Sequence, residues 1–258
     1  MTFHFQNKNI HYKTEGSGET VVLLHGFLEN LSMWDEITKE LSITHRVIRL
    51  DFAGFGKSEP IVEIHSMKHY ADCVQALLKE LNIDTFTVIG HSMGGYAALE
   101  LSKTCPENIN QLILFHSTAN ADSEQKKKDR NRAIKAANNK QSIYLKTAIP
   151  LLFPKQLQKS CAAHIQKMIL EAEALSPKGI TAAIKGMRER MDNNEILRNL
   201  NCKKSYIGGT HDPLLKINDL RLEAKKNDAN FIEIKNSGHM SHWENTEIAI
   251  EKMRKLLR

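Results

Sequence analysis

The segment Gly90-His91-Ser92-Met93-Gly94-Gly95 sets a serine among glycines. It follows the apolar run Phe86-Thr87-Val88-Ile89 directly and precedes the small-residue stretch Tyr96-Ala97-Ala98-Leu99. A hydroxyl on a sharp strand-to-helix turn stands clear of the sheet in a strained backbone conformation, which marks Ser92 as a candidate nucleophile. Gly90 and Gly94 leave room across such a turn. The helix that starts there aims backbone N–H groups at developing negative charge, so Met93 N–H is the first expected oxyanion donor.

A serine hydroxyl attacks well only when a base takes its proton, and that base needs an acid to hold its tautomer. Asp212 follows the strand-like Tyr206-Ile207-Gly208-Gly209, and His239 follows a later one in Asn236-Ser237-Gly238-His239. The order serine, acid, histidine, each in a loop after a strand, suits a nucleophile–base–orienter set. Asp122 is the reserve acid. His91, His211 and His242 are weaker base candidates: His91 flanks the nucleophile and His242 suits the start of the last helix. His239 and His242 lack a third residue at metal-ligand spacing. The second oxyanion donor is expected from His25-Gly26-Phe27-Leu28, with Phe27 N–H chosen because Gly26 permits close approach and the Phe27 side chain can wall a pocket. Leu28, His91 and Met240 are expected to line the substrate pocket.

These residues need a sheet to hold them. Continuous apolar runs at Thr20–Leu24, Arg46–Leu50, Phe86–Ile89 and Gln111–Phe115, with two more near Ser205–Ile207 and Phe231–Ile234, read as strands covered on both faces. Thr2–Gln6 and Ile10–Thr14 alternate as an edge hairpin. Between the strands run helical patterns, the clearest through Met67, Tyr70, Ala71, Val74, Leu77, Leu78 and Leu81, with another from Trp243 to Leu257. Alternation of this kind predicts an α/β fold with a mostly parallel sheet and helices on both faces. No strand pattern occurs from 119 to 200. That is too long for a loop in a compact domain, so it reads as a helical insertion over one end of the sheet. The expected division is a core of 1–118 and 201–258 with the insertion at 119–200. Leu151, Leu152 and Phe153 there would either line an acyl pocket or hold the insertion down.

Composition narrows the partners. The chain has 258 residues, 41% hydrophobic and 26% charged, the balance of a globular domain. The N-terminus lacks the apolar core of a secretory signal, and no apolar run reaches the roughly 20 residues of a membrane span, so a cytoplasmic location is expected. Cys73, Cys105, Cys161 and Cys202 are widely spaced and read as free thiols. Much of the net charge of +6 lies at Lys126, Lys127, Lys128, Arg130, Arg132 and Lys135. Interleaved acids and absent aromatics make that run a solvated helix face rather than a nucleic-acid surface. Action on anionic substrates stays open.

Taken together, His25-Gly26-Phe27, the turn from Asp51 to Ser58, Gly90–Gly95, Gly209-x-x-Asp212 and Gly238–Asn245 resemble the α/β-hydrolase superfamily over nearly the whole chain. Thr246 stands where a proline is common. The resemblance implies that 119–200 is a helical cap, with the active site between cap and sheet. The Ser-Met-Gly-Gly form is similar to that of carboxylesterases, lactonases, haloperoxidase-like esterases and some C–C hydrolases or lyases. Epoxide hydrolases and haloalkane dehalogenases carry an aspartate at the position of Ser92. The leading expectation is a cofactor-free, metal-free serine hydrolase, most simply a carboxylic ester hydrolase on a small or medium acyl substrate. The rivals are a C–C hydrolase or lyase with the same triad, and a non-catalytic sensor that kept the pocket.

Overall fold

The computed structural model describes residues 1–258. Eight strands, β1 (Thr2–Phe5), β2 (Lys8–Glu15), β3 (Thr20–Leu24), β4 (Arg46–Leu50), β5 (Phe86–His91), β6 (Ile109–Phe115), β7 (Lys203–Gly209) and β8 (Asn230–Ile234), form one sheet in the order β1-β2-β4-β3-β5-β6-β7-β8. The β1–β2 hairpin and its junction with β4 are antiparallel; every other pair is parallel.

Side chains alternate between the faces of a strand, and the burial follows that alternation. Val22, Leu24, Ile48, Leu50, Val88, Leu112 and Leu114 join one apolar cluster, while Val21, Leu23, Val47, Ile89, Ile113 and Phe115 join another. Helices α1 (Asp35–Leu41), α2 (Met67–Glu80) and α3 (Met93–Thr104) come before β6. Ile37 and Leu41 of α1 cover the second face, whereas Tyr70 and Val74 of α2 and Ala97 of α3 cover the first. α2 starts where Ser66 Oγ accepts the His69 N–H, satisfying one of the free donors of the first turn.

Between β6 and β7 the chain forms only helices: α4 (Glu124–Asn139), α5 (Gln141–Ala148), α6 (Ala162–Glu173), α7 (Pro177–Glu189) and α8 (Asn194–Asn199). Their buried residues, among them Leu145, Ile149, Met168 and Ile184, continue the first apolar cluster. After β7 come α9 (Ile217–Lys226) and β8, then α10 (Ser241–Glu244) and α11 (Thr246–Leu256). The single C-terminal helix expected from Trp243 onward is two, because Asn245 leaves the helical region at φ −152° and ψ 57°. No helix is long and apolar enough to cross a membrane.

Candidate active site

The parallel strands end on the same edge, and the loops leaving β3, β5, β7 and β8 meet there. Ser92, between β5 and α3, has φ 49° and ψ −112°, a region a β-substituted residue occupies only under constraint. The constraint is visible in its hydrogen bonds. Ser92 N–H donates to Phe115 O at 3.0 Å, and Ser92 O accepts from Gly95 N–H at 3.0 Å and Ser117 Oγ at 2.7 Å. A Cβ on Gly90 would lie 2.5 Å from Gly94 backbone atoms, and one on Gly94 would collide with Leu24 O. Both glycines are therefore steric requirements of the turn.

His239 Nε2 lies 3.0 Å from Ser92 Oγ, and His239 Nδ1 lies 2.8 Å from Asp212 Oδ2. The Asp212 side chain is fully buried, yet each of its oxygens has donors. Oδ1 accepts Leu214 N–H at 2.8 Å and Leu215 N–H at 3.0 Å, and Oδ2 accepts from His116 Nδ1 at 3.0 Å as well as from His239. Burial pushes the Asp212 carboxyl up, but the His239 charge and the imidazole hydrogen bonds outweigh it and hold the acid well below the usual carboxylate range. His116 Nε2 meets Ser241 Oγ at 2.6 Å. Burial lowers His116 to about 4, so it is a neutral Nδ1–H donor to Asp212 and an acceptor for the Ser241 hydroxyl.

The His239 loop is fixed from below. Gly238 N–H and the Ser237 hydroxyl (2.8 Å) both donate to Glu244 Oε2, and Met240 N–H donates to Glu244 Oε1 at 3.3 Å. Across the site, Phe27 N–H has no acceptor within the chain, and Met93 N–H is one of the free donors of the first turn of α3. The loop carrying Phe27 is held at both ends. His25 Nδ1 donates to Gly26 O at 2.7 Å while its Nε2 accepts Phe52 N–H at 2.9 Å, and Leu28 takes φ 64°. Gly26 N–H donates to Glu29 Oε2 at 2.6 Å.

Glu29 reaches further. Its Oε2 is 2.7 Å from His91 Nδ1, and its Oε1 is 3.4 Å from His242 Nε2, with all three side chains about 1% exposed or less. His91 Nε2 lies 2.9 Å from His239 O. Both His91 nitrogens face acceptors, so both carry protons. Burial opposes that charge, but the Glu29 carboxylate overcomes it and raises His91, whereas burial lowers His242 to about 4.

A cavity of about 470 Å³ includes Ser92 and His239 in its wall. Of the expected pocket residues, Phe27, Leu28, His91, Leu151, Leu152 and Met240 line it. Phe153 does not: it is 1% exposed and stacks on Trp243 at 6.4 Å and 4°, which fastens the helical segment to the C-terminal loop. His211 is exposed beside Thr210, and Asp122 pairs with Arg130 and Arg190 rather than with His239. The basic run on α4 is largely solvated, but Lys126 and Arg130 face the cavity. His242 is a buried neighbour of Glu29 as well as part of α10. It sits with Glu29 and His91, whereas His239 sits with Asp212 and His116, so the two histidines fall in separate groups.

Two expected results follow from these contacts. His116→Phe removes one donor to Asp212, and a hydrogen bond to a charged group contributes about 1.5–3 kcal/mol. A kcat about 10-fold lower, with KM little changed, is expected on whichever substrate the site turns over; an unchanged kcat would show that His116 only packs. The second concerns acid stability. His65, His116 and His242 are all held near 4 by burial, against about 6.5 in an unfolded chain. Between these values the unfolded state binds more protons, so the stability these three contribute is full above about pH 6.5 and is lost as pH drops toward 4, with about three protons taken up on unfolding. Melting temperature measured from pH 7 to 4 checks this, and a flat profile would refute it.

Several known proteins are similar to this chain in structure or in sequence. A thermophilic esterase from Thermogutta terrifontis matches with a TM-score of 0.92 at 28% identity, covering 97% of this chain and 93% of that one. The enol-lactonase from Burkholderia xenovorans LB400 matches with a TM-score of 0.92 at 20% identity, covering 100% and 99%. A 2-hydroxy-6-oxononadienedioate/2-hydroxy-6-oxononatrienedioate hydrolase from Pseudomonas putida is 36% identical over 113 residues, 42% of this chain and 40% of that protein. The chain thus spans well under half the length of the curated relatives it matches. The family model described as alpha/beta hydrolase fold matches residues 19–246, and with that span and this sheet the chain belongs to the α/β-hydrolase fold family.

Proposed function

We propose that this chain is a serine-dependent carboxylic ester hydrolase in which Ser92 is the nucleophile, His239 the base and Asp212 its orienting acid. The observation that carries the reading is the unbroken hydrogen-bond line Ser92 Oγ–His239–Asp212, at 3.0 and 2.8 Å, opening on a cavity. Helices α4–α8 serve as the cap in this reading. Ser92 Oγ attacks the acyl carbonyl as His239 Nε2 takes its proton, and the oxyanion falls to Phe27 and Met93 N–H. His239 then protonates the departing alkoxide, leaving an acyl-serine. A water loses its proton to His239 and attacks the acyl carbon; the acid leaves as Ser92 regains its proton. The likeness to the Thermogutta esterase over nearly the full chain supports the ester reading.

A second reading, C–C bond hydrolysis by the same residues, draws on the resemblance to the Pseudomonas putida hydrolase over part of the chain. Fluorophosphonate labelling with mass mapping tests the shared nucleophile. Label is expected on Ser92 and absent from Ser92→Ala, and an unlabelled folded protein would sink both readings. Turnover of a p-nitrophenyl ester series then selects the ester reading. A labelled enzyme that hydrolyses none of the series selects the C–C reading.

A further inference from the structure

The cavity has a charged wall that the ester chemistry leaves unused. Lys126, Asp129, Arg130 and Ala133 of α4 line it, at the three- and four-residue spacing of one helix face. Farther along that stripe Ala137 is fully buried. A helix that merely packed down would keep the stripe apolar throughout; this one turns charged where it crosses the cavity.

Arg130 is held in place there. Its Nε donates to Asp122 Oδ2 at 3.1 Å, and the other Asp122 oxygen lies 2.6 Å from Arg190 Nη1. Asp122 is fully buried and Arg190 is 3% exposed. Burial would raise the Asp122 carboxyl, but the two guanidiniums hold it below its ordinary value, so the trio keeps one excess positive charge. Both Nη groups of Arg130 lack an acceptor within the chain. Tyr144 of α5 lines the same cavity with no intramolecular partner for its hydroxyl, and burial pushes its pKa to about 12, keeping it a donor. Lys126 has no carboxylate partner. Two acids line the cavity: Asp129, whose Oδ1 accepts from Arg132 at 2.7 Å and Gln125 at 3.1 Å, and Glu29, whose Oε2 is taken by Gly26 N–H and His91.

We propose that Arg130, with Tyr144 and Lys126, forms an anion subsite for a carboxylate carried by the substrate at the end remote from the bond cleaved. The substrate class is then an acyl compound with a free acid, such as the half-ester or lactone of a dicarboxylic acid. This rests on Ser92 as the nucleophile. A guanidinium fixed by its Nε edge presents its two Nη groups as a pre-set fork, which matches a carboxylate better than a flexible ammonium does. The apolar residues of the cavity accommodate the carbon chain between the charged wall and Ser92.

A binding measurement separates the subsite from catalysis. In the Ser92→Ala protein, calorimetry compares monomethyl with dimethyl succinate, adipate and suberate, pairs that differ by one charge. For at least one chain length the monoester is expected to bind about 10-fold more tightly, a difference of about 1.4 kcal/mol. Arg130→Gln should bring that ratio close to one, and Tyr144→Phe, which removes a hydroxyl and no packing, should reduce it about 3-fold. Equal binding of the pairs, or no binding of either member, overturns the subsite. So does a ratio that survives both substitutions, the result expected if Arg130 only staples α4 to Asp122. Fluorophosphonate labelling of the unmutated protein reports on Ser92 independently, so loss of the subsite leaves the nucleophile standing, and loss of the nucleophile does not alter the binding ratio.

Discussion

Ser92→Ala is expected to lower kcat on a p-nitrophenyl ester by about 10⁶-fold, and adding His239→Ala should cost almost nothing further, because the two act as one unit. What survives, about 10³–10⁴ over the uncatalysed rate, reflects binding and the backbone donors. Asp212→Asn should cost about 10⁴-fold by the same template, and the surroundings of Asp212 explain why an amide fails. Oδ2 accepts from both His239 Nδ1 and His116 Nδ1, while Oδ1 accepts two backbone N–H groups. An asparagine has one acceptor oxygen for these four donors, so its NH₂ must face either the histidines or the loop. Facing the histidines, it turns His239 to the tautomer whose Nε2 carries a proton and cannot take one from Ser92. Single-turnover kinetics with circular dichroism on each variant checks the series. Near-normal kcat in a folded Ser92→Ala protein would remove the proposed mechanism.

The strands were legible because each has a local signature, and the residues proposed as the triad stand at equally marked places. A run such as Thr20–Leu24 is apolar on both faces, and Ser92, Asp212 and His239 each stand in a glycine-marked turn after such a run. The residues that brace them have none. Glu29 is one acid in a loop, and it meets His91 only because β3 and β5 are neighbours in the sheet. His116 follows Phe115 at the end of β6 at φ 48°. A lone polar residue where an apolar strand ends beside the triad strands was the available signal, and only the sheet order gives it meaning. Phe153 shows the reverse limit. Hydrophobicity identified it as buried, but whether an aromatic ring lines a cavity or seals a joint depends on Trp243, ninety residues away in the chain.

The second large effect is expected at Glu29. Its carboxylate links the loop of Phe27 to the loop of His239, through Gly26 N–H on one side and His91 on the other. Burial raises Glu29, but the His91 charge and the His242 contact outweigh it and hold the acid far below its usual range. Glu29→Gln leaves a buried imidazolium without its counter-charge. Breaking a buried pair on one side costs about 3–5 kcal/mol, which at about 2–4 °C per kcal/mol for a chain near this size is a fall of roughly 6–20 °C in Tm. The sign of the pH dependence identifies the cause. The depressed Glu29 adds stability that is present above its unfolded pKa near 4.3 and lost as pH falls through the folded value. The raised His91 adds stability that is full below about 6.5 and fades as pH rises through its folded value. The gap in Tm between the unmutated protein and Glu29→Gln should therefore be widest between about pH 5 and 6.5 and narrow in alkali. In the double variant with His91→Gln, the two losses should fall short of additive by at least about 1 kcal/mol. A gap constant from pH 5 to 9, with strictly additive losses, would mean that Glu29 merely fills space and that the two loops are held together by other contacts.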